Sequence, residues 1–206
     1  MSNLQSLLCL ELDALHSKMY KCKTIHLRYS MLPEHKDFLI RQSVLGVYAE
    51  WEGFVKKSVS LYLQEINRER VSFSNLHDYY ISYQTDNVAK FKSPKTKLET
   101  IAKLSRELFE MYKGPVVFST AVNTESNANL KVVNSILKKL CLECLATNYE
   151  SQLNKLLRFR HSIAHGDEGI PVKQKDVDSF TLLVQDLATD LALSINYGFQ
   201  DKVYLA

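Results

Sequence analysis

The sequence predicts an all-α fold: a helical bundle with long second and last helices and an irregular or helical segment inserted in the middle. Three observations point there. Apolar residues recur at three- and four-residue steps over most of the 206 residues. Only 6 Gly and 4 Pro break the chain, too few for a loop-rich all-β design. No repeat, low-complexity tract or Pro/Ser-rich linker divides it, so residues 1–206 read as one domain with a core of its own.

Each element follows from its pattern. Leu4, Leu8, Leu12, Leu15 and Met19 mark a first amphipathic helix. Pro33 sits where a second can begin, and Ile40, Val44, Val47, Trp51, Phe54, Val55, Tyr62 and Ile66 make that helix long and central. Two shorter helices are expected near Leu76–Phe91 and Lys97–Tyr112, followed by an irregular stretch through Gly114-Pro115 and the polar run Asn123–Asn129. Helical spacing resumes at Leu130–Leu145, Tyr149–His165 and Gln174–Tyr197, with Gly166 as a helix stop and Pro171 in the turn that follows.

Composition narrows the function classes. Hydrophobic residues at 46% and charged residues at 24% are an ordinary globular balance. A formal charge of +3 neither demands nor opposes a nucleic-acid partner. No apolar run reaches the roughly 18 to 20 residues of a membrane span, so no membrane partner is expected. Met1-Ser2-Asn3-Leu4-Gln5 lacks the basic start of a secretory signal, and four cysteines are no disulfide framework. The expected compartment is the reducing cytoplasm.

The informative helix is Tyr149–His165. At about 100° per residue, Tyr149, Leu153, Leu156, Leu157, Ile163 and Ala164 share a broad face with Arg160 in its middle. A guanidinium there needs a partner or a solvent-filled cleft. His161 and His165 stack four residues apart at the edge of that face, where the helix C-terminus favours a protonated imidazole. The plainer reading is a snorkelling or ion-paired arginine with a capping histidine. Three such groups converging before Gly166 favour a site.

Arg160-His161-Ser162-Ile163-Ala164-His165-Gly166 resembles the Arg-x(4–6)-His signature of HEPN domains, with polar His161 after the arginine. Tyr48-Ala49-Glu50-Trp51-Glu52-Gly53-Phe54-Val55-Lys56 is similar to the second helix of a HEPN branch found in bacterial toxin–antitoxin and defence loci. The run Asn127–Leu140 and the long last helix extend the likeness over most of the chain. The resemblance implies a metal-independent endoribonuclease acting by 2′-OH attack at a cleft between two protomers, leaving a cyclic phosphate and a 5′-hydroxyl. It also implies a toxin or phage-defence role with a possible cognate antitoxin. In some such proteins a nucleotidyltransferase antitoxin modifies a Tyr two positions after the motif histidine; that position here is Asp167.

The chemistry is consistent with that implication. RNA supplies its own nucleophile, so cleavage needs a base, an acid and a phosphate clamp but no cofactor. His165 suits acid/base work, Arg160 the phosphate, and His161 orientation or a second proton transfer. Single-stranded RNA is the expected substrate. Lys155, Arg158 and Lys139, with Lys138, would guide it, although scattered lysines are commonly solvated surface. Glu50 and Glu52 are surface charges, or one of them pairs with Arg160. Two chains would pair over Leu153, Leu157 and Ala164, giving a homodimer with a composite site. His161-x3-His165 has Ser162 where a metalloprotease needs Glu, so no metal is assigned. Cys141-x-x-Cys144 is read as core packing on an apolar helix. The alternative functions are a non-catalytic HEPN-fold module binding a partner protein or RNA, and an unrelated helical adaptor.

Overall fold

The computed structural model describes residues 3–89, 97–111, 113–124, 127–167 and 169–206, with backbone alone at 86–89 and 108. Among them run α1 (Asn3–Thr24), α2 (Pro33–Glu69), α3 (Asp78–Ala89), α4 (Leu98–Met111), α5 (Leu130–Lys139), α6 (Glu150–Ala164) and α7 (Gln174–Gln200), with three short 3-10 turns and no strand beyond isolated bridges. The all-α bundle is as the sequence predicts. The expected helix ends at Phe91 and Tyr112 lie outside the described residues. No helix among the described residues is long and apolar enough to cross a membrane.

The core is built by α1, α2, α6 and α7. Pro33 opens α2 with its fixed φ, and Arg70 closes it in a left-handed conformation, φ 51. The predicted stripe on α2 is buried in full, but Tyr48, Val59, Leu61 and Leu63 are buried as well. A helix buried on several sides is a central one, and α2 packs against α1, α6 and α7. Trp51, fully buried, donates its indole N–H to the Ala128 carbonyl at 2.8 Å.

That bond belongs to a longer arrangement. The irregular segment before α5 runs along α2 as a strap, antiparallel to it. Asn67 clamps Phe118 by two bonds, accepting from its N–H at 2.7 Å and donating to its carbonyl at 2.9 Å. Thr124 Oγ1 donates to Glu52 at 2.7 Å, and the Ala128 N–H donates to the Tyr48 hydroxyl at 3.1 Å. The described parts of the segment are thus held to α2 at Asn67, Glu52 and Tyr48. Asn129 then caps α5, accepting from the Val132 N–H at 2.9 Å.

One expected helix is shorter than its spacing suggests. The Leu130–Leu145 pattern ends as helix at Lys139, and Cys141 takes a left-handed φ of 50. The Cys141 N–H bonds Lys138 O at 3.2 Å and the Leu142 N–H bonds Leu137 O at 2.9 Å, a Schellman stop without glycine. Asn134 fixes the return by bonding both the N–H and the carbonyl of Leu145, at 2.9 and 3.0 Å. The two cysteines therefore flank a return loop rather than lie on an apolar helix. Their apolar neighbours Leu140, Leu142 and Leu145 are buried all the same, which is why the periodicity misled. Gly198 on α7 admits Leu142: a Cβ there would stand 2.1 Å from Leu142 Cδ2.

Candidate functional site at the end of α6

The face that α6 buries is Leu153, Leu156, Phe159, Ser162 and Ile163. Phe159, which the sequence reading left out, packs edge-on against Phe180 of α7 at 5.4 Å between ring centres. Its inclusion turns the buried stripe, so Arg160 lies on the flank of that face and not in its middle. Arg160 is half-buried, with its guanidinium carbon 4.9 Å from the centre of the Tyr48 ring. This is a cation–π contact between α6 and α2.

Tyr48 is held on its other side. Its hydroxyl bonds to Glu52 and accepts from Ala128. Burial raises the Tyr48 hydroxyl above the usual phenol value, with Glu52 adding to the rise and the Ala128 N–H and Arg160 opposing it. Burial also pushes Glu52 upward, but bonds from Lys56, Thr124 and Tyr48 bring it below the ordinary carboxylate range. Glu52 thus supports Arg160 through Tyr48 and does not pair with it. Glu50, on the opposite side of α2, pairs with Lys18 of α1 at 2.8 Å and plays no part here. Among the described residues, Arg160 rests on a ring rather than on a carboxylate.

His161 and His165 are both exposed, their ring centres 4.3 Å apart, as the four-residue spacing predicts. They lie about 100° and 140° round the helix from Arg160. The helix stops immediately afterwards in a Schellman motif. Gly166, φ 73, bonds Ile163 O at 3.1 Å, and the Asp167 N–H bonds Ser162 O at 3.0 Å.

Ser162, Asp167, Gly169 and Arg41 lock that stop. The buried Ser162 hydroxyl donates to Asp167 Oδ2 at 2.7 Å, and the Gly169 N–H donates to its Oδ1 at 2.8 Å. These bonds, with Arg41 nearby, hold the Asp167 carboxyl below its usual value against a slight effect of burial. Arg41 of α2 donates to the Asp167 and Ile170 carbonyls at 2.5 and 3.0 Å. Sequence reasoning missed Arg41, Asp167 and the role of Tyr48. The available signal was Ser162: a hydroxyl on the core side, one turn before a glycine stop and a nearby aspartate.

The other expected contributors are less central. Lys155 bonds Asp176 at 2.8 Å and lies over the rings of Phe159 and Phe180 at 5.3 and 5.5 Å, so it clasps α6 to the start of α7. Arg158 is exposed, 5.9 Å from the Phe159 ring centre. Lys139 ends α5 at the far end of α2, where Leu140 O accepts from Tyr80, whose hydroxyl bonds Tyr62 at 2.6 Å. From Tyr48 to Tyr62 is about 21 Å along the helix axis. Of the proposed pairing stripe, Leu153 is fully buried within the chain's own core and Leu157 half-buried, leaving Ala164 exposed. Leu153 is therefore not available to a second chain.

No curated protein and no solved structure matches the chain. A family model does, the one described as RiboL-PSP-HEPN, over residues 15–197. That span runs from within α1 to near the end of α7 and takes in Tyr48, the strap and the whole Arg160–His165 segment. The chain belongs to the RiboL-PSP-HEPN family.

Proposed function

We propose that the chain is a metal-independent endoribonuclease whose working residues are Arg160, His161 and His165. The observation that carries the reading is the stacked pair His161–His165 at the solvent, on the same helix end as an arginine that, among the described residues, rests on a ring and not on a carboxylate. A guanidinium in that state keeps its N–H groups for phosphate oxygens. In the proposed reaction one imidazole takes the 2′-OH proton and the 2′-oxygen attacks phosphorus. The P–O5′ bond breaks as a second imidazole, protonated, gives its proton to the leaving oxygen. The products are a 2′,3′-cyclic phosphate and a 5′-hydroxyl. Arg160 offsets the charge that builds on the phosphorane.

A homodimer is part of the proposal, with the two motifs facing one cleft. With Leu153 internal, the support moves to the start of α2, where Tyr29, Leu32 and Phe38 are exposed near the Arg41 anchor. A toxin or phage-defence role with a cognate antitoxin is the biological setting proposed. Asp167, bonded into the helix stop, offers no phenol for modification there.

The test is dilution. Cleavage per chain should fall as the protein is diluted through its dimer constant, and an Arg160→Ala chain mixed with wild type should lower activity more than dilution does. A fully active monomer at every concentration contradicts the dimeric site.

A further inference from the structure

Away from the motif, α3 and the last turn of α5 enclose a groove of about 320 Å³ lined by Tyr79, Ser82, Tyr83, Lys138 and Lys139. Tyr79 and Tyr83 are four residues apart and so share one side of α3. Tyr79 is 58% exposed, so its ring face is open to a ligand. It is braced from beneath: the His77 ring meets it edge-on at 5.2 Å, and His77 Nδ1 accepts from the Tyr79 N–H at 3.2 Å. Tyr83 is half-buried against Phe118 of the strap, 6.3 Å between ring centres. One wall is therefore two fixed aromatic side chains. The opposite wall carries the exposed Lys138. Asp78, at the first turn of α3, is the acidic residue adjoining this wall in sequence.

A flat ring surface, a hydroxyl at Ser82 and an ammonium across an open groove match one nucleotide: base on tyrosine, base edge on serine, phosphate on lysine. We infer that this groove holds a nucleotide of single-stranded RNA, a second contact for the strand at the end of α2 opposite the motif. The inference rests on the reading that the chain handles RNA, but needs no catalysis. A continuous strand held at both places would give the basic end of α5, far from Arg160, a part in binding. It also makes single strands preferred over duplex, because a base must leave its stack to lie on Tyr79.

The test uses the full-length His165→Ala chain, so that binding is read without cleavage. A fluorescein-labelled oligoribonucleotide of about ten nucleotides, within the site sizes of single-strand binders, is titrated by anisotropy. Tyr79→Ala should weaken binding about tenfold, the loss of one base stack, while Tyr79→Phe retains it. Lys138→Ala should lower the slope of log affinity against log salt by about 0.7, one phosphate contact on a single strand. Displacement of the strand by free adenosine monophosphate would show a mononucleotide pocket and overturn the strand reading. Unchanged affinity in Tyr79→Ala, or an unchanged salt slope in Lys138→Ala, overturns it too. If His165→Ala binds as expected but wild type cleaves nothing, the catalytic proposal fails and this one stands.

Discussion

The Arg160 guanidinium lies over the Tyr48 ring at 4.9 Å, and the Tyr48 hydroxyl is tied in turn to Glu52 and to the strap at Ala128. The contact aims the cation without neutralising it. Tyr48→Leu removes the ring and is expected to reduce RNA cleavage about tenfold, the worth of a partly desolvated cation–π contact. Tyr48→Phe keeps the ring but leaves the buried Ala128 N–H without its acceptor, at a cost of about 1–2 kcal/mol in stability. Steady-state cleavage and urea unfolding on both variants separate the two effects. Equal activity of Tyr48→Leu and wild type would remove Tyr48 from the site.

Asp167 gives a prediction with a definite pH sign. Its carboxyl is held below the usual aspartate value of 3.8 by Ser162, Gly169 and Arg41. A depressed folded value means stability that is fully present above the unfolded value and lost as pH falls through the folded one. Thermal unfolding should therefore show Asp167→Ala less stable than wild type at neutral pH, with the gap closing once the pH drops below that value. A gap that stays constant into strong acid would show that the carboxylate contributes nothing.

Gly198 tests the packing of α7 on the α5 return. A Cβ there would lie 2.1 Å from Leu142 Cδ2, so Gly198→Ala should destabilise the chain by about 1–3 kcal/mol through overpacking. Pairing it with Leu142→Ala frees the space and should recover part of the loss, a double-mutant coupling readable by denaturant melts. Strict additivity would contradict the close approach.

Periodicity made the helices legible because burial along α1, α2 and α7 is what three- and four-residue spacing records. Leu4, Val47 and Trp51 are all at zero exposure. It failed where apolar residues are buried without being helical, as at Leu142 and Leu145, since local pattern does not register that Asn134 bonds the Leu145 backbone. In the candidate site, Arg160, His161 and His165 could be read from spacing before Gly166. Their supports could not. Arg41 and Asp167 are 126 positions apart, and Tyr48 reaches Arg160 only once α2 and α6 pack side by side. Lys155 looked like a basic guide because its partner Asp176 lies on the next helix.

The most direct measurement is cleavage of a single-stranded RNA by the purified chain in excess EDTA, with the product ends identified and Arg160→Ala and His165→Ala run beside it. Neither substitution should unfold the protein, since His165 is exposed and the Arg160 stack contributes about 1 kcal/mol. Wild type should yield 2′,3′-cyclic phosphate and 5′-hydroxyl ends, DNA of the same sequence should resist, and both variants should lose cleavage while keeping the helical circular dichroism of wild type. Wild-type activity in either folded variant, or activity abolished by EDTA and restored by magnesium or zinc, would contradict the proposal.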